Sequence, residues 1–143
     1  MSRKILRIAG QLAGLALLVA AAAASAAAQD VADCSNAISQ SAMTQCAYDD
    51  WQAADAELNA AYRDAIAAMR ETDGYLADYL KGAENALRDA QRAWIPFREK
   101  SCEAYGFLAR GGTMEPMPVF GCQADMTRQR TRELRQLVTE FSG

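Results

Sequence analysis

Residues 87–102, LRDAQRAWIPFREKSC, decide the fold class that this sequence predicts. Apolar residues recur there every three or four positions, which places them along one face of a helix. The predicted helix extends from about Tyr75 or Asp78 to Leu108. Its apolar stripe consists of Leu80, Ala83, Leu87, Ala90 or Gln91, Trp94, Phe97 and Tyr105. Pro96 lies inside this stretch, and because proline lacks an N–H and clashes with the preceding turn, we expect a kink there.

A helix is also predicted on the N-terminal side, from about Ser41 to Thr72. Its apolar stripe consists of Ala47, Trp51, Ala54, Leu58, Tyr62, Ala65 and Met69. Ser41 or Thr44 can cap its start, since a hydroxyl accepts a bond from a free backbone N–H. Asp73 and Gly74 form a suitable stop, because glycine readily takes the left-handed conformation.

The C-terminal part predicts a third helix, from about Pro118 to Phe141. Its apolar side consists of Met126, Leu134, Leu137, Val138 and Phe141. The connector from Arg110 to Pro118 is the one extended loop, and residues 29–40 are expected to form an irregular arm. Without any strand pattern or internal repeat, three amphipathic helices pack most simply as an up-down-up bundle. The predicted fold is therefore a small, disulfide-linked, all-α three-helix bundle.

The first residues have the layout of a secretory signal peptide. A cationic head, Arg3, Lys4 and Arg7, precedes an uncharged apolar stretch at residues 8–24 and a small-residue cleavage site at residues 26–28. The apolar stretch is rich in alanine and short for a transmembrane helix, which needs roughly 17–25 residues. We therefore expect a signal peptide at residues 1–28, one domain at residues 29–143, and no membrane span in the mature form. After cleavage near Ala28, the protein would be periplasmic or secreted.

The net charge of the chain limits the classes of molecule that it is expected to bind. The whole chain has 18 acidic and 15 basic residues, and three of the basic ones belong to the predicted signal peptide, which leaves a mature charge of −6. An acidic surface argues against binding to nucleic acid or to anionic lipid. It favours encounter with a cationic protein.

Four cysteines, Cys34, Cys46, Cys102 and Cys122, are expected to form two disulfides in an oxidising compartment. Zinc is disfavoured, since the cysteines lack zinc-knuckle spacing and the chain has no histidine. Two pairings remain open if the first two helices fold back about Gly74. One joins Cys46 to Cys102 and Cys34 to Cys122; the other, slightly favoured, joins Cys34 to Cys46 and Cys102 to Cys122.

The residue inventory argues against an enzyme. Without histidine, histidine-based triads and histidine-ligated metal sites are excluded. Pairs of carboxylates can hydrolyse glycosides, but no acidic pair lies in a motif that would hold it in a cleft. We expect no catalytic residue, no bound metal and no cofactor.

Three motifs carry a resemblance to a known family. The first contains Asp55, Leu58, Asn59 and Tyr62. The second contains Leu87, Ala90, Gln91, Arg92, Ala93, Trp94, Phe97, Arg98 and Cys102. The third contains Gly111, Gly112, Thr113, Cys122, Thr127, Arg130 and Leu134. Together with Cys34 and Cys46, they resemble the LprI-type lysozyme-inhibitor domain of bacterial secreted proteins, over residues from Cys34 to about Leu137.

The polar motif residues are interpreted as structural. Asp55 and Asn59 share a helix face and are expected to form a network with Arg92 or Arg98, because a charge next to a core is retained most easily when paired. Gln91, Thr127 and Arg130 belong to the same structural group. Trp51 and Trp94 are expected in the core, and the arginines Arg128, Arg130, Arg132 and Arg135 on a solvated face.

Two functions follow from the resemblance and the charge. The first is an exported protein that binds and blocks a cell-wall hydrolase, by resemblance a lysozyme. The second is a non-inhibitory envelope module that binds another protein. The candidate partner-binding loop contains Arg110, Gly111, Gly112, Thr113 and Glu115, and Arg110 is the residue best suited to meet catalytic carboxylates.

Overall fold

The computed structural model describes residues 33–141, which form three helices. These are α1 (Gln40–Tyr75), α2 (Ala83–Gly106) and α3 (Pro116–Phe141). Short 3-10 turns at Asp78–Leu80 and Phe107–Ala109 flank α2. Within these described residues no strand occurs, and the predicted all-α class is confirmed. The signal peptide predicted at residues 1–28 lies outside them.

Pairs of bonded residues establish the directions of the helices. They are Arg70–Glu84 and Asp55–Arg98 between α1 and α2, Gln91–Arg130 and Cys102–Cys122 between α2 and α3, and Asp50–Arg128 and Glu57–Arg135 between α1 and α3. In the first two sets the residue number rises on one helix while it falls on the other, so these helices are antiparallel. In the third set both numbers rise together. The bundle is therefore up-down-up, as predicted.

The hydrophobic core follows the stripe of α1 closely. Its buried residues are Leu58, Ala61, Ala65, Ile66 and Met69 of α1, Leu87 of α2 and Leu134 of α3. Four residues predicted on apolar stripes are instead exposed: Leu80, Phe97, Tyr105 and Phe141. Leu80 precedes α2, and Phe141 is the last residue of α3. On α2 the inward positions belong to Gln91, Arg98 and Cys102, so Phe97, about 100° round the helix from Arg98, faces outward.

The ends of α1 differ from the prediction. The N-cap is Ser39 rather than Ser41 or Thr44, and its hydroxyl accepts a bond from the Ala42 N–H at 3.2 Å. At the other end, α1 continues through Gly74, which is helical rather than left-handed. The glycine with positive φ in this connection is Gly82, at φ 148°.

Asp73 explains why the chain turns where it does. Its carboxylate accepts bonds from the backbone N–H groups of Gly82, Ala83 and Glu84, at 2.8, 2.9 and 3.1 Å. These groups are the unpaired donors at the start of α2, so Asp73 caps the next helix from within α1. The same bonds, that from Gly82 first, lower the pKa of the Asp73 carboxyl.

Both disulfides are local. Cys34 is bonded to Cys46, which ties the N-terminal arm to α1, and Cys102 to Cys122, which ties the end of α2 to α3. This is the pairing that the sequence slightly favoured. α2 is one helix across Pro96; the kink expected there stays a prediction.

Arg98 forms the polar centre of the bundle. Its guanidinium donates to Asp55 Oδ1 at 2.9 Å, to Glu99 Oε1 at 2.8 Å and to Thr127 Oγ1 at 2.9 Å. Only 5% of the residue is exposed. Asp55 also accepts a bond from Asn59. The predicted network therefore exists with Arg98 and joins all three helices.

Two tryptophans flank the same guanidinium. The carbon at its centre lies 5.6 Å from the ring centroid of Trp51 and 5.1 Å from that of Trp94. Cations over indole rings are stabilised by the negative ring face. Both tryptophans are half-buried and enclose the charge, and Trp94 also packs against the hydrophobic core.

We predict that Arg98→Met destabilises the oxidised mature protein by about 2–3 kcal/mol. This lies below the ~3–5 kcal/mol for breaking a fully buried pair, because Asp55 and Glu99 are partly exposed and can recover water. Urea unfolding followed by circular dichroism measures the change. The matched control is Arg92→Met on the same helix, where an exposed pair with Asp89 should cost less than about 0.5 kcal/mol. Equal losses of unfolding free energy in the two variants would contradict the assignment of Arg98 as the buried, three-helix contact.

We also predict that acid weakens the α1–α2 connection. Hydrogen bonds from Arg70 and Arg88 lower the pKa of Glu84 to about 2, and the pKa of Asp73 is lowered too. Because both pKa values are lower in the folded state, the stabilisation is present above about pH 4.5 and is lost as the pH falls toward 2. Urea midpoints of wild type and Glu84→Gln across this range test it. The wild-type midpoint should fall more steeply; parallel curves would contradict the prediction.

Candidate functional site

The predicted loop lies at the end of the bundle where α2 meets α3. The Cys102–Cys122 disulfide closes its base, with the two Cα atoms 5.4 Å apart. Gly106, the last residue of α2, packs so closely that an added Cβ would lie 3.0 Å from the Val119 side chain. A side chain at position 106 would therefore require the Val119 side chain to shift by a few tenths of an ångström. The observed loop is shorter than predicted, because α3 begins at Pro116 rather than Pro118.

Glu115 holds the loop in one shape. Its carboxylate accepts a bond from the Gly111 N–H at 2.8 Å and one from Arg110 Nη1 at 2.6 Å. The Gly111 bond, followed by that from Arg110, lowers the pKa of the Glu115 carboxyl. Gly111 has φ 78°, a value that favours glycine. The Gly112 N–H donates to the Ala109 carbonyl at 2.9 Å, so the loop backbone is bonded on both sides of the turn.

Arg110 is held between two neighbours. Besides the bond to Glu115, its guanidinium lies 4.7 Å from the ring centroid of Phe107. The side chain remains largely exposed, but its charge is balanced within the loop. To bind a partner's carboxylate, Arg110 must therefore either bind both carboxylates at once or give up its bond to Glu115.

Large apolar side chains surround the loop. Phe107 and Leu108, in the 3-10 turn after α2, are 61% and 78% exposed. Tyr105 and Met114 are exposed beside them. Aromatic residues, methionine and arginine are enriched in protein interfaces. This end of the bundle thus combines the ordered polar loop with exposed apolar side chains near it in the sequence.

The motif residues interpreted as structural lie on the three helices, away from the loop. Leu58, Gln91, Arg98 and Thr127 are buried, while Asp55, Tyr62, Trp94 and Arg130 are half-buried and Asn59 and Arg92 are exposed. The alternative that Arg92 joins the Asp55 network is wrong, since Arg92 points to the outer side of α2 and pairs with Asp89. It lies about 120° round the helix from the inward Arg98.

The arginines of α3 are only partly a solvated face. Arg128 donates to Asp50 of α1 at 2.9 Å, and Arg135 to Glu57 at 3.3 Å. Arg130 donates to the buried Gln91 at 3.1 Å. These side chains therefore contribute contacts between helices, which a pattern on one helix cannot reveal.

Sequence patterns missed an aromatic group beside the loop. Phe120 of α3 stacks on Trp51 of α1, with ring centroids 5.8 Å apart and ring planes 10° apart. Tyr48 meets both rings edge-on, at 5.7 Å from Trp51 and 5.2 Å from Phe120. The spacing of Tyr48 and Trp51 on one helix face was available from the sequence; Phe120 joins them only through packing.

Within residues 33–141, no group of three or more acidic or cysteine side chains is placed to hold a metal ion. Among the helices described, none contains an apolar stretch long enough to cross a membrane.

Comparisons with known proteins agree with the motifs. The family model described as lysozyme inhibitor LprI matches residues 31–134. An uncharacterized protein of Rhizobium meliloti (strain 1021) is 50% identical over 127 residues, which covers 87% of this chain and 91% of that protein. No solved structure matches this chain significantly. The family match covers α1, α2, most of α3 and both disulfides, and the chain belongs to the LprI lysozyme-inhibitor family.

Proposed function

We propose that this protein is exported and binds a lysozyme-type cell-wall hydrolase, which it blocks with the loop end of the bundle. Membership of a lysozyme-inhibitor family supports a protein partner. Two disulfides support an oxidising compartment, because such bonds persist outside the cytoplasm.

The shape of the loop end is the observation that carries the proposal. Glu115 and the Cys102–Cys122 disulfide order residues 110–115 before any partner arrives. A preordered loop loses little conformational entropy on binding, which favours affinity. The exposed Phe107 and Leu108 supply apolar contact area next to the charged tip. Such an ordered, protruding side-chain set suits the concave substrate cleft of a hydrolase.

Electrostatics would assist the encounter. The mature chain has a predicted charge of −6, and lysozymes are typically cationic. Opposite net charges raise the association rate at low salt. The attraction fades as the Debye length falls from about 10 Å at 0.1 M to about 3 Å at 1 M. Inhibition that relies on this encounter should weaken as salt is added.

A second candidate is a non-inhibitory module that binds another envelope protein. The observation in its favour is the internal pairing of Arg110 with Glu115 at 2.6 Å. A loop whose cation is already balanced presents mainly Phe107, Leu108 and Met114. Such a face suits an apolar protein surface outside a catalytic cleft.

We predict that the oxidised mature protein inhibits lysozyme in a turbidity assay on cell walls. Phe107→Ala combined with Leu108→Ala should raise the inhibition constant roughly tenfold or more, the usual loss when central interface side chains are truncated. Arg110→Ala should have a smaller effect, because Glu115 already balances its charge. Each variant is checked by circular dichroism.

The chain offers a matched control at the other end of the bundle. Tyr79→Ala combined with Leu80→Ala also removes an exposed aromatic residue and a leucine from a 3-10 turn flanking α2. The 24 residues of α2 separate the two turns by about 36 Å. The control should inhibit as the wild type does. If the wild type does not inhibit, the hydrolase proposal is rejected for that enzyme. If the two double variants lose inhibition equally, only the assignment of inhibition to the loop end is rejected.

A further inference from the structure

We propose that the cleft between the first turns of α1 and the start of α3 binds an uncharged saccharide. The cleft has a volume of about 440 Å³, within the usual range of about 300–1,000 Å³ for ligand sites. The described residues that line it are Ser41, Thr44, Gln45, Tyr48, Thr113 and Phe120. The proposal does not rest on hydrolase binding, since it concerns a different ligand and other side chains.

One wall of the cleft is aromatic. Tyr48 and Phe120 meet edge-to-face at 5.2 Å, and both contact Trp51 behind them. Trp51 in turn lies against the buried Arg98. The wall therefore belongs to the packed centre of the bundle and does not need to be ordered by the ligand. Aromatic ring faces carry partial negative charge, which attracts the polarised C–H groups of a sugar ring.

The rest of the lining offers uncharged hydrogen-bonding groups. The Thr44 hydroxyl already accepts a bond from Gln40, so its O–H is left to donate. The Gln45 amide donates to Asp49, so its carbonyl oxygen is left to accept. The Thr113 hydroxyl makes no hydrogen bond to another described residue. Donors and acceptors side by side match sugar hydroxyls, each of which both donates and accepts.

The lining also favours this class over charged ligands. None of the six described lining residues carries a charge, so a phosphate, a carboxylate or an amine would lose water without gaining an ion pair. Both sides of the cleft are held in place. The Cys34–Cys46 disulfide closes on α1 beside Gln45, and the bonds of Gly112 and Glu115 hold the loop segment that includes Thr113.

The test is a titration of the isotope-labelled, oxidised mature protein by NMR, in the absence of any hydrolase. The probes are neutral trisaccharides of N-acetylglucosamine and of glucose, and the cationic trisaccharide of glucosamine. In about 1 M salt, where the attraction of the acidic chain for cations is screened, we expect at least one neutral probe to give saturable shifts confined to residues 41–48, 113 and 120, and the cationic probe to bind more weakly. No saturable shift with either neutral probe, shifts located elsewhere, or equal or tighter binding of the cationic probe would overturn the proposal.

Variants assign the binding to the cleft. Tyr48→Ala should weaken saccharide binding roughly tenfold through loss of the aromatic wall. Because Tyr48 also packs on Trp51, Gln45→Ala provides a second variant that removes an exposed amide without touching the aromatic group, and it should weaken binding severalfold. Tyr79→Ala removes an exposed tyrosine at the other end of the bundle and should leave saccharide binding unchanged. Unaltered affinity in both cleft variants would overturn the assignment. Lysozyme inhibition is measured separately, so failure of either proposal leaves the other standing.

Discussion

Arg98 places a positive charge where all three helices meet, and the rest of the bundle is arranged around it. A buried guanidinium must be paired, and here Asp55 of α1, Glu99 of α2 and Thr127 of α3 each accept one or more of its hydrogen bonds. A helix that slid or rotated would leave that charge without one of its partners. The net stabilisation from buried ion pairs is small, because desolvation offsets most of the attraction. The clearer consequence is that only one register of the three helices satisfies the group.

The same guanidinium links the core to the surface. Trp51 covers one side of it and stacks on Phe120, and Tyr48 completes the aromatic group at the rim of the saccharide cleft. An aromatic wall backed by a buried ion pair has little freedom to rearrange. The contacts that order the centre of the bundle therefore also order the aromatic side chains that a ligand would meet at its edge.

The two connections between helices use the same device. In each, one carboxylate accepts from backbone N–H groups across the turn: Asp73 from three before α2, and Glu115 from one before α3. Their surroundings differ. A disulfide closes the base of the loop that Glu115 orders, whereas Arg70 and Glu84 form an ion pair beside Asp73. Covalent closure at the loop end is consistent with a binding role there, because a partner then meets a surface that is already formed.

Local periodicity determined much of this protein. The 3.6-residue repeat of Leu58, Ala65 and Met69 established a buried face of α1, since a helix face depends only on spacing along one chain. The absence of histidine and the cysteine spacings likewise restricted the chemistry, and the combined motifs indicated the family. These features need no knowledge of a neighbouring helix.

Packing between the helices decided the contacts that residue spacing in the sequence left open. Whether Arg92 or Arg98 paired with Asp55 depended on the rotation of α2 against α1, and the same rotation turned Phe97 outward. Gly74 stayed helical, and the side chain of Asp73 reached the donors at the start of α2. Phe120 joined Trp51 and Tyr48 from 69 and 72 residues away along the chain. In each case the deciding contact is between segments far apart in sequence, and its energy depends on a distance that exists only after the helices have packed.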